Sequence, residues 1–195
     1  MRKLFCAVLI LSVLLVTQIP SYAQRPAVDG FLGVPWGASK AQVRAAMAKK
    51  GFTLLVGVGE DVYKGTFAGH PAEIMFVYEN NIFYYGTADL LDAQSKNFGR
   101  TNAMVNVYNE IVQLLAAKYG PPDVVAKTEI QGEDGDSYST WENIPTTVTP
   151  PGKVSITVFC ISGSWVRLTN VWTVRVDYRI NRGWALRKSK GGDDY

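Results

Sequence analysis

His70 is the single histidine in 195 residues, and the two cysteines are Cys6 and Cys160. Serine and cysteine nucleophiles usually recruit a histidine base. His70 could in principle pair with Cys160, the cysteine that remains once Cys6 leaves with the leader. Cys160 continues the alternation of Val154, Ile156 and Val158, which reads as a buried structural thiol. Zinc asks for three or four converging His, Cys, Asp or Glu ligands, so no metal is expected. Glu133-Asp134-Gly135-Asp136 offers oxygen ligands of the calcium type. It lacks EF-hand spacing and reads as the tip of a hairpin. Glu73, Glu79, Asp89 and Asp92 could supply an acid–base pair for glycoside hydrolysis, but their spacing selects no pair.

The stretch Gly30 to Met47, GFLGVPWGASKAQVRAAM, raises the question of a phosphate loop. Its glycines are spaced G-x-x-G-x-x-x-G, which fits neither the dinucleotide fingerprint nor the P-loop. Pro35 and Trp36 would also obstruct a phosphate. The glycines are expected to turn the chain, Trp36 to pack under a helix and Ser39 to cap it. No cofactor and no catalytic residue is expected. What remains is recognition. In the last apolar–polar run, Trp165, Arg167, Arg175 and Arg179 fall on one phase, a candidate binding face rich in the residue types of contact hot spots.

These residues need elements to hold them. Ser39 and Gln42 form the S-x-x-Q capping box of a helix over about 39–50, ended by Gly51. β-prone segments follow at 53–58, 62–67, 73–78 and 82–87, with Asn80-Asn81 as a tight turn. Met104, Val107, Tyr108, Ile111, Leu114 and Leu115 recur at helical spacing, and Gly120 with Pro121-Pro122 stops that helix. Strands resume at 124–131, 137–143 and 154–161, and Ser162-Gly163 reads as a hairpin turn. From Trp165 to Ile180 one phase alternates throughout, with a bend expected near Thr169-Asn170. The expected fold is α+β: two helix-plus-antiparallel-sheet units, a candidate duplication, with the helices on one face. A single domain spans 24–186, its half-repeats at 29–95 and 96–186, followed by a disordered tail at 187–195.

The chain opens MRKLFCAVLILSVLLVTQIPSYAQ. A basic start, a short apolar run and Ser21-Tyr22-Ala23 make residues 1–23 a secretory signal peptide, cleaved before Gln24. The run is shorter than the roughly 20 residues of a membrane span, so no integral membrane segment is expected afterwards. Arg2 and Lys3 supply two of the +3 net charge, which leaves +1 on the exported body. Such a body gives no electrostatic case for nucleic acid. One remaining cysteine allows no internal disulfide.

Two segments, FLGVPWGASKAQVRAAM and YKGTFAGHPAEIMFVYENNIFYYG, carry a resemblance. They are similar to a group of uncharacterised exported bacterial proteins that open F-x-G-[IV]-x-[WF]-G-x-[ST] and continue with a Y-x-G-x-F-x-G hairpin. Phe31, Gly33, Val34, Trp36, Gly37 and Ser39 match the first motif, and Tyr63, Gly65, Phe67 and Gly69 the second. The likeness covers the first half well and implies no activity. At the level of fold, the order of elements resembles β-lactamase-inhibitor-protein-like folds and small outer-membrane assembly lipoproteins, which are binding proteins. The chain lacks the disulfides of the former and the lipid-bearing cysteine of the latter. The resulting expectation is an exported protein, periplasmic or secreted, that binds another envelope protein without catalysis. The alternatives are a small hydrolase or carbohydrate-active protein with a carboxylate site, and a small-ligand carrier.

Overall fold

The computed structural model describes residues 25–95, 101–130, 133–149, 151–164 and 169–190. Gly30 to Gly37 form a miniature hairpin. β1 (Gly30–Phe31) pairs with β2 (Val34–Pro35), and Leu32 and Gly33 turn between them with φ of 51° and 73°. Trp36 stacks on Phe83 at 5.0 Å and donates its indole N–H to the Val28 carbonyl. Ser39 then caps α1 (Lys40–Lys49), and Gln42 closes the capping box. The opening glycines therefore turn the chain into a helix.

β3 (Thr53–Val56), β4 (Asp61–Phe67), β5 (His70–Glu79) and β6 (Ile82–Ser95) make one antiparallel meander. After α2 (Asn102–Tyr119), β7 (Val124–Ile130), β8 (Glu133–Pro145), β9 (Lys153–Ser164) and β10 (Thr169–Ile180) make another. β6 pairs antiparallel with β10, which fuses the meanders into an eight-stranded sheet ordered β3-β4-β5-β6-β10-β9-β8-β7. The protein is α+β with a large antiparallel sheet. Each meander runs from one edge to the centre, so the two edges are β3 and β7.

The stripe expected of α2 is the face it buries: Met104, Tyr108, Ile111, Leu115 and Tyr119, against β6, β9 and β10. Gly120, at φ 78°, ends the helix, and its carbonyl accepts the Trp141 indole N–H at 2.7 Å. Facing α2, Val154, Ile156, Val158 and Cys160 of β9 join Val174, Val176 and Ile180 of β10 in the core. Burial of each such aliphatic side chain contributes about 1.5–3 kcal/mol. Phe31 lies flat on Gly86, where a Cβ would come within 2.2 Å of the ring, so β6 needs glycine there for the hairpin to seat.

Several expectations change. Residues 182–189 form a third helix, α3 (Arg182–Ser189), where a disordered tail was expected from 187. Trp184 and Ala185 bury it against β5 and β6, a tertiary anchor that an eight-residue polar segment does not advertise. Ser162-Gly163 lies inside β9 and is not a hairpin turn. Glu133 and Asp134 pair with Ile130 and Glu129, so the acidic run opens β8 and is not a hairpin tip; residues 131–132 lie outside the described residues. The bend foreseen in the last strand appears as a register shift between Thr169 and Trp172. The leader, 1–23, and the last five residues also lie outside the described residues. No helix among the described residues is long and apolar enough to cross a membrane.

Candidate functional site

Thr53 to Val58 is a run of six residues without a charge. Its β-branched and leucine side chains favour extended backbone, and the positive φ of Gly51 (75°) has just ended α1. The strand that results, β3, is paired to β4 on one side only and forms the sheet edge. Leu54, Leu55 and Val56 are 44%, 46% and 48% exposed, and Val58 in the following loop is 87% exposed. A contiguous exposed apolar patch on a sheet edge marks an interaction site or an aggregation hazard.

The loop after β3 is gripped by α1. Lys40 and Arg44, one helical turn apart, share a face. Lys40 Nζ donates to the Gly57 and Gly59 carbonyls at 3.2 and 3.0 Å. Arg44 donates to the Gly57 carbonyl at 3.0 Å and to both oxygens of Asp61 at 3.0 and 2.8 Å. Asp61 is fully buried and also accepts from the Tyr78 and Tyr63 hydroxyls at 3.0 and 3.4 Å. Burial alone would raise its carboxyl. The bonds from Arg44 and Tyr78, with Lys40 at 3.4 Å, outweigh that and hold it below the ordinary carboxylate range. Burial in turn pushes the Tyr63 hydroxyl up to about 12, helped by the Asp61 charge. The shifts at Arg44, Asp61, Tyr63 and Tyr78 each favour the ordinary charge state of the group. The consequence of the cluster is mechanical: the loop carbonyls are fixed and Val58 is held out in water.

The four residues expected to share a binding face are described only in part, and the two described ones differ in exposure. Trp165 and Arg167 lie outside the described residues. Arg175, foreseen on an exposed face, is 3% exposed and donates to both oxygens of buried Asp89 at 2.7 and 2.9 Å. The register of β6 on β10 places Asp89 opposite Arg175. Its guanidinium is therefore engaged inside the molecule. Arg179 is exposed, stacked over the Tyr85 ring with its guanidinium carbon 4.8 Å from the centroid. Asp177, between them on this face, accepts from the Tyr85 hydroxyl at 2.9 Å, and burial pushes its carboxyl up.

The acid and histidine candidates scatter. Glu73 and Asp89 face each other across β5 and β6, both buried. Glu79 binds Arg182 at 2.7 Å. Asp92 binds His70 at 2.8 Å, with Glu110 of α2 at 3.6 Å on the other ring nitrogen. The Asp92 hydrogen bond raises the His70 pKa. Cys160 sits in the core beside Val174 and Ser137. Among the described residues no three His, Cys, Asp or Glu side chains converge as metal ligands.

No family model matches the chain, and no curated protein or solved structure matches it significantly. The geometry stands on its own. Sequence reasoning passed over Thr53 to Val58 because an uncharged β-prone run looks like a buried strand. The available signal was the absence of any charge up to Glu60 in a strand that opens a meander, and so falls at an edge.

Proposed function

We propose that this chain is an exported, non-enzymatic binding module of the bacterial envelope that captures a partner protein along β3. The observation that carries the reading is the posed apolar edge, Leu54, Leu55, Val56 and Val58, each more than two-fifths exposed. Ordering a loop before binding removes part of the entropy cost of association, which gives the Lys40–Arg44–Asp61 grip a purpose beyond stability. An edge with a free backbone side is suited to an added strand. Charge narrows the partner. Lys49, Lys50 and Lys64, exposed and without an ion pair among the described residues, surround the start of β3. The favoured occupant is an extended apolar segment of another protein, flanked by carboxylates. The matching order of elements in the two halves, helix then meander, supports a duplicated origin. The leader supports export.

A hydrolase reading draws on Asp177, whose carboxyl is raised by burial. It is the weaker reading because the Asp177 carboxylate is already engaged by the Tyr85 hydroxyl at 2.9 Å.

The test is a nine-residue peptide with an apolar core flanked by glutamates, titrated into the 15N-labelled mature protein beside the same core flanked by lysines. The glutamate peptide is expected to shift the amides of Thr53–Val58, and the lysine peptide to bind more weakly. Leu55→Lys with Val56→Lys should abolish the shifts and leave the melting temperature unchanged. Equal binding by both peptides, or undiminished binding to the double variant, overturns the proposal. So does concentration-dependent dimerisation through the same residues. N-terminal sequencing of the exported protein should begin at Gln24.

A further inference from the structure

Away from β3, in the other half of the sheet, β8, β9 and β10 carry a second feature. β8 bulges against β9: Trp141 pairs with Ile156 and Ile144 with Val154, so three steps on one strand answer two on the other. The extra residue falls at Glu142–Asn143, and Asn143 takes φ of 54°. Left-handed backbone at a residue other than glycine is uncommon and gathers at ligand sites, and bulges re-aim side chains beside such sites. Beside the bulge lies a recess of about 340 Å³, lined by Glu142, Asn143, Lys153, Val154, Ser155, Arg179 and Asn181.

The charges in it are unspent. Lys153 and Arg179 stand on neighbouring strands, and the register sets Arg179 opposite Ser155, two residues from Lys153 on the same face. Both are exposed, and neither makes an ion pair among the described residues. Arg179 is nevertheless not free to wander, because its guanidinium lies on the Tyr85 ring, and Tyr85 is pinned by its bond to Asp177. A fixed arginine presents its donors in a planar fork that fits a carboxylate. The Ser155 hydroxyl and the two asparagines add neutral hydrogen-bonding groups, and Glu142 stands on the β8 side.

We propose that this recess binds a carboxylate carried on a small hydrogen-bonding skeleton, held between Lys153 and Arg179. The carboxylate belongs either to a free acid or to the C-terminus of a chain. The site neither uses β3 nor depends on the partner assigned to it.

Four probes distinguish the sources by calorimetry on the mature protein: glucuronate, glucose, N-acetyl-dialanine as the free acid, and the same dipeptide as its amide. One acid at least should bind and its neutral counterpart should not. Preference for glucuronate identifies a free acid, and preference for the dipeptide acid a chain end. Lys153→Gln and Arg179→Gln should each weaken the acid about tenfold or more, as loss of a charged hydrogen bond does, with the fold intact by circular dichroism. Glu142→Gln should tighten binding by removing a like charge. The proposal is overturned if no acid binds, if the neutral counterparts bind equally, or if the two cation variants bind as the parent does.

Discussion

The two edges of the sheet are built to opposite rules. β7 is guarded: Pro121-Pro122 leads into it, and Arg25 ties down its start. That guanidinium donates to both oxygens of Asp123 and to the carbonyls of Pro121 and Glu142. Charge and an overlying segment are the usual means of keeping a sheet edge from pairing with strangers. β3 has neither. Its run from Thr53 to Val58 is uncharged, and its one protective device is a bulge between Leu54 and Val56. The chain can therefore guard an edge and does so at one end. The open edge is also the one whose loop is held by α1, in keeping with the proposed recognition role.

The comparison assumes one continuous sheet with edges held apart, and the largest expected effect tests that assumption. Asp89 and Arg175 bridge the two meanders at the centre, with side chains 1% and 4% exposed. Arg175→Ala strands a buried carboxylate and should cost about 3–5 kcal/mol in urea denaturation. Replacing both partners, Asp89→Leu with Arg175→Met, should recover most of the loss. A single variant as stable as the parent would mean that the halves are not joined as described.

Next in size is the grip on the open edge. Asp61→Asn keeps the shape and removes the charge that Arg44 and Lys40 hold. Those cations still reach water, so the cost should fall to about 2 kcal/mol. Hydrogen exchange at 57–60 should accelerate while β7 is unaffected. The same event is reachable with acid. The Asp61 carboxyl is held below its ordinary 3.8 in the fold, so the stability it lends is complete above that value. It is lost as pH falls through the depressed folded value. A parent whose acid sensitivity matches that of Asp61→Asn would remove this ion cluster from the account.

How much of this was legible follows from where each signal sits. The Ser39–Gln42 box, the Met104–Tyr119 stripe and the Asn80-Asn81 turn, with φ of 50° and 66°, are written in neighbouring residues. The burial of Arg175 is not. Alternation along β10 assigns it correctly to the polar face, but only the pairing with β6, 86 residues away in sequence, supplies Asp89 and takes it out of water. Trp184 likewise needs the sheet beneath it before α3 makes sense. Among candidate site residues only Arg179 lands in a described recess. The exposed edge escaped because apolar character announces burial unless topology says otherwise.

Ser39→Ala should cost about 1 kcal/mol through loss of the cap. It also discriminates among ways of holding the edge. Lys40 begins the helix at the residue after Ser39, and its ammonium grips the Gly57 and Gly59 carbonyls. If the first turn of α1 frays, peptide binding at β3 should weaken more than the small stability change accounts for. A variant that loses stability and keeps full peptide affinity would place the grip in Arg44 alone.

The smallest expected effect lies at the guarded edge. Arg25 and Asp123 are partly exposed, with side chains 22% and 39% accessible, and a pair of that kind is worth about 1 kcal/mol or less. Arg25→Ala should therefore barely move the urea midpoint. If Arg25 serves chiefly to cover an edge, the consequence should appear in association instead. Val125, already 69% exposed, would lie next to a strand start that no longer has its clamp. The variant should then sediment as a larger species than the parent at high concentration, and a second change, Val125→Lys, should return it to the parent's behaviour by putting charge on the edge. Unaltered sedimentation would show that Pro121-Pro122 protects it unaided. The contrast with β3 would then rest on composition alone, with no part played by the clamp.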